Sequence, residues 1–307
     1  MRDFAHYNAR SVEEAIGFLG KARGTARLNA GGTDLLGLLA DEVLPRYPAS
    51  LVNLKTIPGL DSIELVGGAL RIGALTRLSA LQASPDVARE FPVLAEAARS
   101  VASPQIRNMG TLGGNLCQDT RCWYYRYPSS VGGALQCARK GKGPCLAVKG
   151  DNRYHALLDA RKCFAVCPSD TAVALSALDA RLLIVGPRGE RTLPVADFYH
   201  PLGNALEPDE LVREVEIPPR AAPGQQTFLK FTLRKPIDFA VVSVASVLTV
   251  KEGRCTDARL VLGAVAPGPY RAEAAEKALV GRPLDEGAAS EAAEAALAAA
   301  KPLSRNG

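Results

Sequence analysis

An α+β fold is predicted by three features of the 307-residue chain. Helical and strand-like patterns alternate over the first half, short strands joined by Pro-rich links take over from about residue 187, and an Ala-rich helical segment closes the chain. The composition is 47% hydrophobic and 22% charged, that of an ordinary protein with buried cores. No run approaches the roughly 18 to 20 apolar residues that a membrane span needs. The N-terminus carries acidic residues where an export signal has a basic start and an apolar stretch, so a cytoplasmic location is expected. With 37 Lys+Arg against 32 Asp+Glu the net charge is only +5, without the long basic run of a nucleic-acid binder.

The elements follow in order. Residues 11–19 form an amphipathic helix started by Ser11, with Glu14 three residues on as a capping box. A strand over 26–30 runs into Gly31-Gly32-Thr33-Asp34 and the apolar segment 35–40, which reads as strand, Gly turn, helix. Residues 51–54 and 70–73 are further strands, and 76–83 and 92–101 are helices. A second Gly-rich segment covers 106–115 and leads into a cysteine-bearing stretch with little periodicity, the texture of an inserted loop held by something other than a core. Order returns where Pro168-Ser169-Asp170 caps a helix over 171–178, followed by a strand over 181–185 and a turn at 186–189. Strands over 211–217, 228–233, 240–250 and 258–262 and a helix over 287–300 are assigned to a C-terminal unit.

Two constellations carry chemistry. Glycines at strand-to-helix turns let backbone amides approach a pyrophosphate, and Thr33, Thr111 and Asn115 add hydrogen-bonding side chains. Neither turn is the dinucleotide fingerprint G-x-G-x-x-G, and no P-loop is present. The second constellation is cysteine, spaced C-x4-C-x14-C-x7-C-x17-C-x3-C from Cys117 to Cys167, with Cys255 remote. The stretch 117–163 holds nine Lys/Arg and three Asp/Glu, a local +6 suited to an anionic iron–sulfur cluster. Paired C-x2-C knuckles are lacking, which weakens zinc; free buried thiols are the third reading. The aromatic run from Trp123 to Tyr127 suits either stacking on a flavin ring or packing of the loop. His6, His155 and His200 are isolated and read as structural or exposed, and Lys230 and Arg234 as surface cations.

Together, Asn29-Ala30-Gly31-Gly32-Thr33-Asp34-Leu35-Leu36, Arg107-Asn108-Met109-Gly110-Thr111-Leu112-Gly113-Gly114-Asn115, Cys163-x3-Cys167-Pro168-Ser169-Asp170 and the segment 263–271 resemble the FAD-binding medium subunit of the molybdenum hydroxylases, the xanthine dehydrogenase family. The resemblance covers essentially the whole chain. It implies a two-part FAD-binding domain of the PCMH type over 1–186, with a cysteine-rich insertion at about 117–163. A smaller α+β domain of the CO dehydrogenase flavoprotein C-terminal type is implied over 187–307. The residues 29–36 and 111–115 would hold FAD, with Trp123 and Asp170 beside them and Lys230 where the family places a lysine near the flavin.

Most members follow the second Gly loop with a short segment ending in an acidic residue that helps bind FAD, which the insertion replaces here. The departure resembles two subgroups carrying an additional [4Fe-4S] cluster, the aldehyde oxidoreductase FAD subunit and the 4-hydroxybenzoyl-CoA reductase β subunit. That resemblance implies Cys122, Cys137, Cys145 and Cys163 as ligands, with Cys167 the rival to Cys163 and Cys117 packing the flavin site. The implied function is electron transfer between [2Fe-2S] clusters on a small partner subunit and an external acceptor or donor such as ferredoxin, with substrate at a molybdenum cofactor on a large partner subunit. Export to the periplasm would then depend on a partner. A stand-alone FAD oxidase and a zinc-stabilised binding module are the alternatives.

Overall fold

Ser11 starts the first helix as its pattern predicts: its hydroxyl accepts the Glu14 N–H at 3.2 Å, while the Glu14 carboxylate reaches back to the Arg10 N–H at 2.6 Å. The computed structural model describes residues 1–133, 135–219, 224–235 and 237–307, so residue 134 of the expected insertion lies outside the described residues. The first lobe comprises β1 (Ala5–Asn8), α1 (Val12–Ala22), β2 (Ala26–Asn29), α2 (Leu35–Ala40) and β3 (Ser50–Asn53). β3 lies between β1 and β2 and is parallel to both. Val12, Ala15 and Leu19 of α1 are buried against this sheet.

The second lobe begins with the hairpin β4 (Ile63–Val66) and β5 (Ala69–Gly73). Helices α3 (Leu78–Ala83), α4 (Pro85–Glu90), α5 (Pro92–Ser100), α6 (Pro104–Met109) and α7 (Leu112–Leu116) follow. The Gly-rich segment is therefore two short helices broken at Gly110. After the insertion, which contains α8 (Ser129–Gly132), come α9 (Asp170–Ala177), β6 (Arg181–Gly186), β7 (Gly189–Pro194), β8 (Tyr199–His200), β9 (Gly203–Asn204) and β10 (Leu211–Ile217). All eight residues of α9 are buried, the polar Asp170, Thr171 and Ser176 among them. Ser169 caps it by accepting the Ala172 N–H at 3.1 Å, a contact worth about 1 kcal/mol.

The strand expected at 211–217 exists, but it corrects the expected division at residue 187. β10 lies at the centre of a five-stranded antiparallel sheet ordered β4-β5-β10-β6-β7. The change to the next sheet falls between Ile217 and Gln225. Alternation of side chains shows that a strand is half-buried and does not say which strand it joins. The C-terminal sheet holds β11 (Gln225–Phe231), β12 (Val242–Lys251), β13 (Arg254–Gly263) and β14 (Tyr270–Arg271), backed by α10 (Glu273–Leu279), which the sequence reading missed, and α11 (Glu286–Leu297). Phe228, Ala245, Val247 and Val261 of this sheet share one core with Leu70, Ile72, Leu94 and Leu175 of the second lobe.

Candidate functional site

Both glycine loops open onto one cleft of about 570 Å³, a volume that suits a nucleotide-sized cofactor. Asn29, Ala30, Gly31, Gly32, Thr33, Asp34 and Leu35 line it from the β2–α2 turn, and Thr111, Gly113 and Gly114 from the turn into α7. The N–H groups of Gly31, Gly32, Thr33 and Asp34 find no protein acceptor among the described residues. Asn29 Oδ1 is buried in the same wall without a donor. Open donors beside an orphan acceptor fit the phosphates and hydroxyls of a flavin dinucleotide.

The glycines have separate reasons to be glycine. A Cβ on Gly31 would stand 2.1 Å from the Met109 carbonyl oxygen, so this residue lets the two loops touch. Gly32 has φ +74°, which strains any L side chain. Gly113 is pressed against Ala74, and Gly114 donates its N–H to the Thr111 hydroxyl at 3.1 Å. Three of the expected residues of the two loops do not line the cleft. Leu36 is exposed, Leu112 belongs to the core, and Asn115 is a buried strut whose Oδ1 accepts the Ser169 and Thr171 hydroxyls at 2.6 and 2.7 Å.

Asp34 ties the first loop to the insertion. Its carboxylate pairs with Arg121 and, at 2.6 Å, with Arg126, and it accepts the Asp119 N–H at 2.8 Å. Burial pushes this carboxyl up, but the two guanidinium groups outweigh it and hold the group below its ordinary value. Asp119 carries the brace onward, accepting the Tyr125 hydroxyl at 2.6 Å and pairing with Arg139 at 2.7 Å. Asp34→Asn is therefore expected to destabilise the protein by about 3 kcal/mol by leaving two shielded cations underpaired. Because its folded pKa is depressed, the Asp34 contribution is present above the unfolded value of about 3.9 and is lost as pH falls through the lower folded value. Denaturation curves should show the gap between wild type and variant at pH 7 and its shrinkage below about pH 4.

Cys122, Cys137, Cys145 and Cys163 line one small cavity. Three of them lie beside backbone donors: Tyr124 and Tyr125 N–H near Cys122, Phe164, Ala147 and Val148 near Cys145, and Ala165 near Cys163. The Cys145 and Cys163 thiols act on each other, which holds Cys145 below its ordinary value and pushes Cys163 up. Arg139 in the cavity wall and Lys140, whose Nζ lies over the Tyr125 ring and acts on Cys137, supply positive charge beside them. Convergent thiols with N–H donors and cations fit a thiolate-bound cluster. Among the described residues no three His, Cys, Asp or Glu side chains are drawn close enough together for a single ion. Cys117 and Cys167 line the larger cleft instead, and burial pushes both up to about 12. Tyr125, Arg139 and Ala165 line both cavities, so the two spaces stand back to back.

The remaining expected residues lie off the cleft wall. Trp123 packs edge-on against Tyr154 and His155 inside the insertion, 5.9 and 5.2 Å between ring centres. Asp170 and Lys230 form a buried ion pair at 2.7 Å, two residues beyond Pro168 of the cleft wall, and Lys230 also donates to the Ser100 carbonyl at 3.0 Å. The sequence reading missed Asp119, Arg121, Arg126 and Arg139 as one network; the excess of basic residues around the cysteines was the available signal.

Residues 2–220 match the family described as the FAD binding domain in molybdopterin dehydrogenase, and residues 227–307 match the CO dehydrogenase flavoprotein C-terminal domain. The aldehyde oxidoreductase FAD-binding subunit PaoB of Escherichia coli (strain K12) is 38% identical over 289 residues, covering 91% of this chain and 86% of that protein. The chain is also similar to a solved carbon monoxide dehydrogenase from Hydrogenophaga pseudoflava that lacks the Mo-pyranopterin moiety. That match has a TM-score of 0.78 and 29% identity over 100% of this chain and 91% of that one. Quinoline 2-oxidoreductase from Pseudomonas putida 86 matches with a TM-score of 0.76 and 29% identity, covering 98% of this chain and 88% of that one.

Proposed function

Because the chain belongs to the FAD-binding subunits of the molybdenum hydroxylases, a family of oxidoreductase subunits, we propose that it relays electrons between a [2Fe-2S] partner subunit and an external acceptor or donor such as ferredoxin. In this reading a large subunit bears the molybdenum cofactor and the substrate site, and this chain adds a [4Fe-4S] cluster to its FAD. When bound, the two groups supply two-electron and one-electron chemistry side by side.

The protein's own residues do the holding. Open amides of residues 31–34, Asn29 Oδ1 and the turn at Thr111, Gly113 and Gly114 bind the FAD, while Cys122, Cys137, Cys145 and Cys163 bind the cluster. Asp34 and Asp119 keep the insertion docked against the flavin loop and turn Arg121, Arg126 and Arg139 into fixed charges. The observation that carries the reading is the shared wall of Tyr125, Arg139 and Ala165, because electron relay needs its two centres close together. No helix among the described residues is long and apolar enough to cross a membrane.

A visible spectrum with metal analysis of the purified protein tests the proposal. Flavin bands with a broad iron–sulfur shoulder, and about four irons per flavin, are expected. Flavin alone would overturn the cluster assignment, as would zinc in place of iron, and neither chromophore would overturn the cofactor reading as a whole.

A further inference from the structure

His155 is buried, at 4% exposure, inside the cysteine insertion, and its Nε2 lies 3.3 Å from the Cys122 sulfur. Its backbone is pinned on both sides: the N–H donates to the Asn152 carbonyl at 3.0 Å, and the carbonyl accepts the Asn306 side-chain amide at 2.8 Å. The ring is held edge-on to Trp123, with Tyr124 tilted 6.0 Å away. Asn152 is itself fixed, accepting the Arg305 N–H at 2.9 Å and donating to Ser304 at 3.2 Å, so Ser304, Arg305 and Asn306 clasp the loop that presents the imidazole.

We propose that His155 is a positioning residue for the iron–sulfur cluster, donating its Nε2–H to the Cys122 sulfur and thereby stabilising the reduced state. The inference rests on the cluster assignment above. Nδ1 is buried and has no hydrogen-bond partner among the described residues. A proton on Nδ1 would leave a buried N–H unpaired and set an imidazole lone pair against a thiolate. A proton on Nε2 instead points a donor at the sulfur and leaves only a bare lone pair at Nδ1. Adding an electron makes the cluster sulfurs more negative, so an N–H aimed at one of them strengthens on reduction and raises the potential.

The test is a redox titration of the purified, cofactor-loaded protein followed by low-temperature magnetic resonance, with iron and flavin contents measured separately. In His155→Phe the reduced-to-oxidised ratio of the cluster at a fixed ambient potential is expected to fall about fivefold, the size of one ordinary hydrogen bond. His155→Gln, which keeps a side-chain N–H, should recover much of that loss. If the Phe variant loses its iron while the Gln variant keeps it near the wild-type potential, the donor is needed for assembly, which also supports the assignment. An unchanged ratio in His155→Phe overturns it, as does a Gln variant no better than the Phe variant, or loss of iron from both with flavin retained. Absence of iron from the wild-type protein would defeat the cluster assignment itself, and that analysis comes before any variant is made.

Discussion

Replacing Cys122, Cys137, Cys145 or Cys163 by Ser, one at a time, is expected to abolish or alter the magnetic resonance signal of the reduced cluster and to lower iron content, with FAD retained. The four cysteines line one cavity, and a hydroxyl is a far poorer soft-metal ligand than a thiolate. Cys117→Ser and Cys167→Ser should leave the signal in place. Both residues line the larger cleft and not the cavity that the other four share. A signal that survives Cys163→Ser and disappears in Cys167→Ser would show that the ligand set is wrong by that residue. The geometry argues for Cys163, which lines the same cavity as Cys122, Cys137 and Cys145, whereas Cys167 lines the larger cleft.

Lys230→Ala is expected to destabilise the protein by about 3–5 kcal/mol, the penalty for stripping a partner from a buried charge. Lys230 and Asp170 have side-chain exposures of 8% and 7%, and burial already pushes the Asp170 carboxyl up despite the lysine beside it. Without Lys230 this carboxyl must take up a proton or remain a solitary charge at the start of α9. The double variant Lys230→Met with Asp170→Leu should recover most of the loss, since a buried ion pair replaced as a unit by apolar groups is often neutral. Denaturation curves of the two variants, with flavin content measured alongside, separate the roles. If flavin is lost at unchanged stability, Lys230 serves the cofactor as the family resemblance implies; if stability is lost first, its main work is in the fold.

What was legible in the sequence is what is encoded within a few residues. The Ser11 and Ser169 caps, the buried helix after Ser169 and the two glycine turns all announce themselves through short-range hydrogen bonding and periodicity. Gly32 could be read as a residue needing positive φ, but Gly31 could not be read as the contact point with Met109, because its neighbour there is nearly eighty positions along the chain.

Tertiary structure alone decided the partners. It placed β10 beside β5 and β6, joined Asp34 to Arg121 and Arg126, turned Asn115 inward to Ser169 and Thr171, and brought His155 to Cys122. Trp123, whose run suited either stacking on a flavin or packing of the loop, packs edge-on against that histidine. Each of these side chains has the same local propensity whichever partner it meets. Alternation and capping are set by the backbone geometry of one element, whereas an ion pair or a strand neighbour depends on which distant segments the packed core brings within about 3 Å.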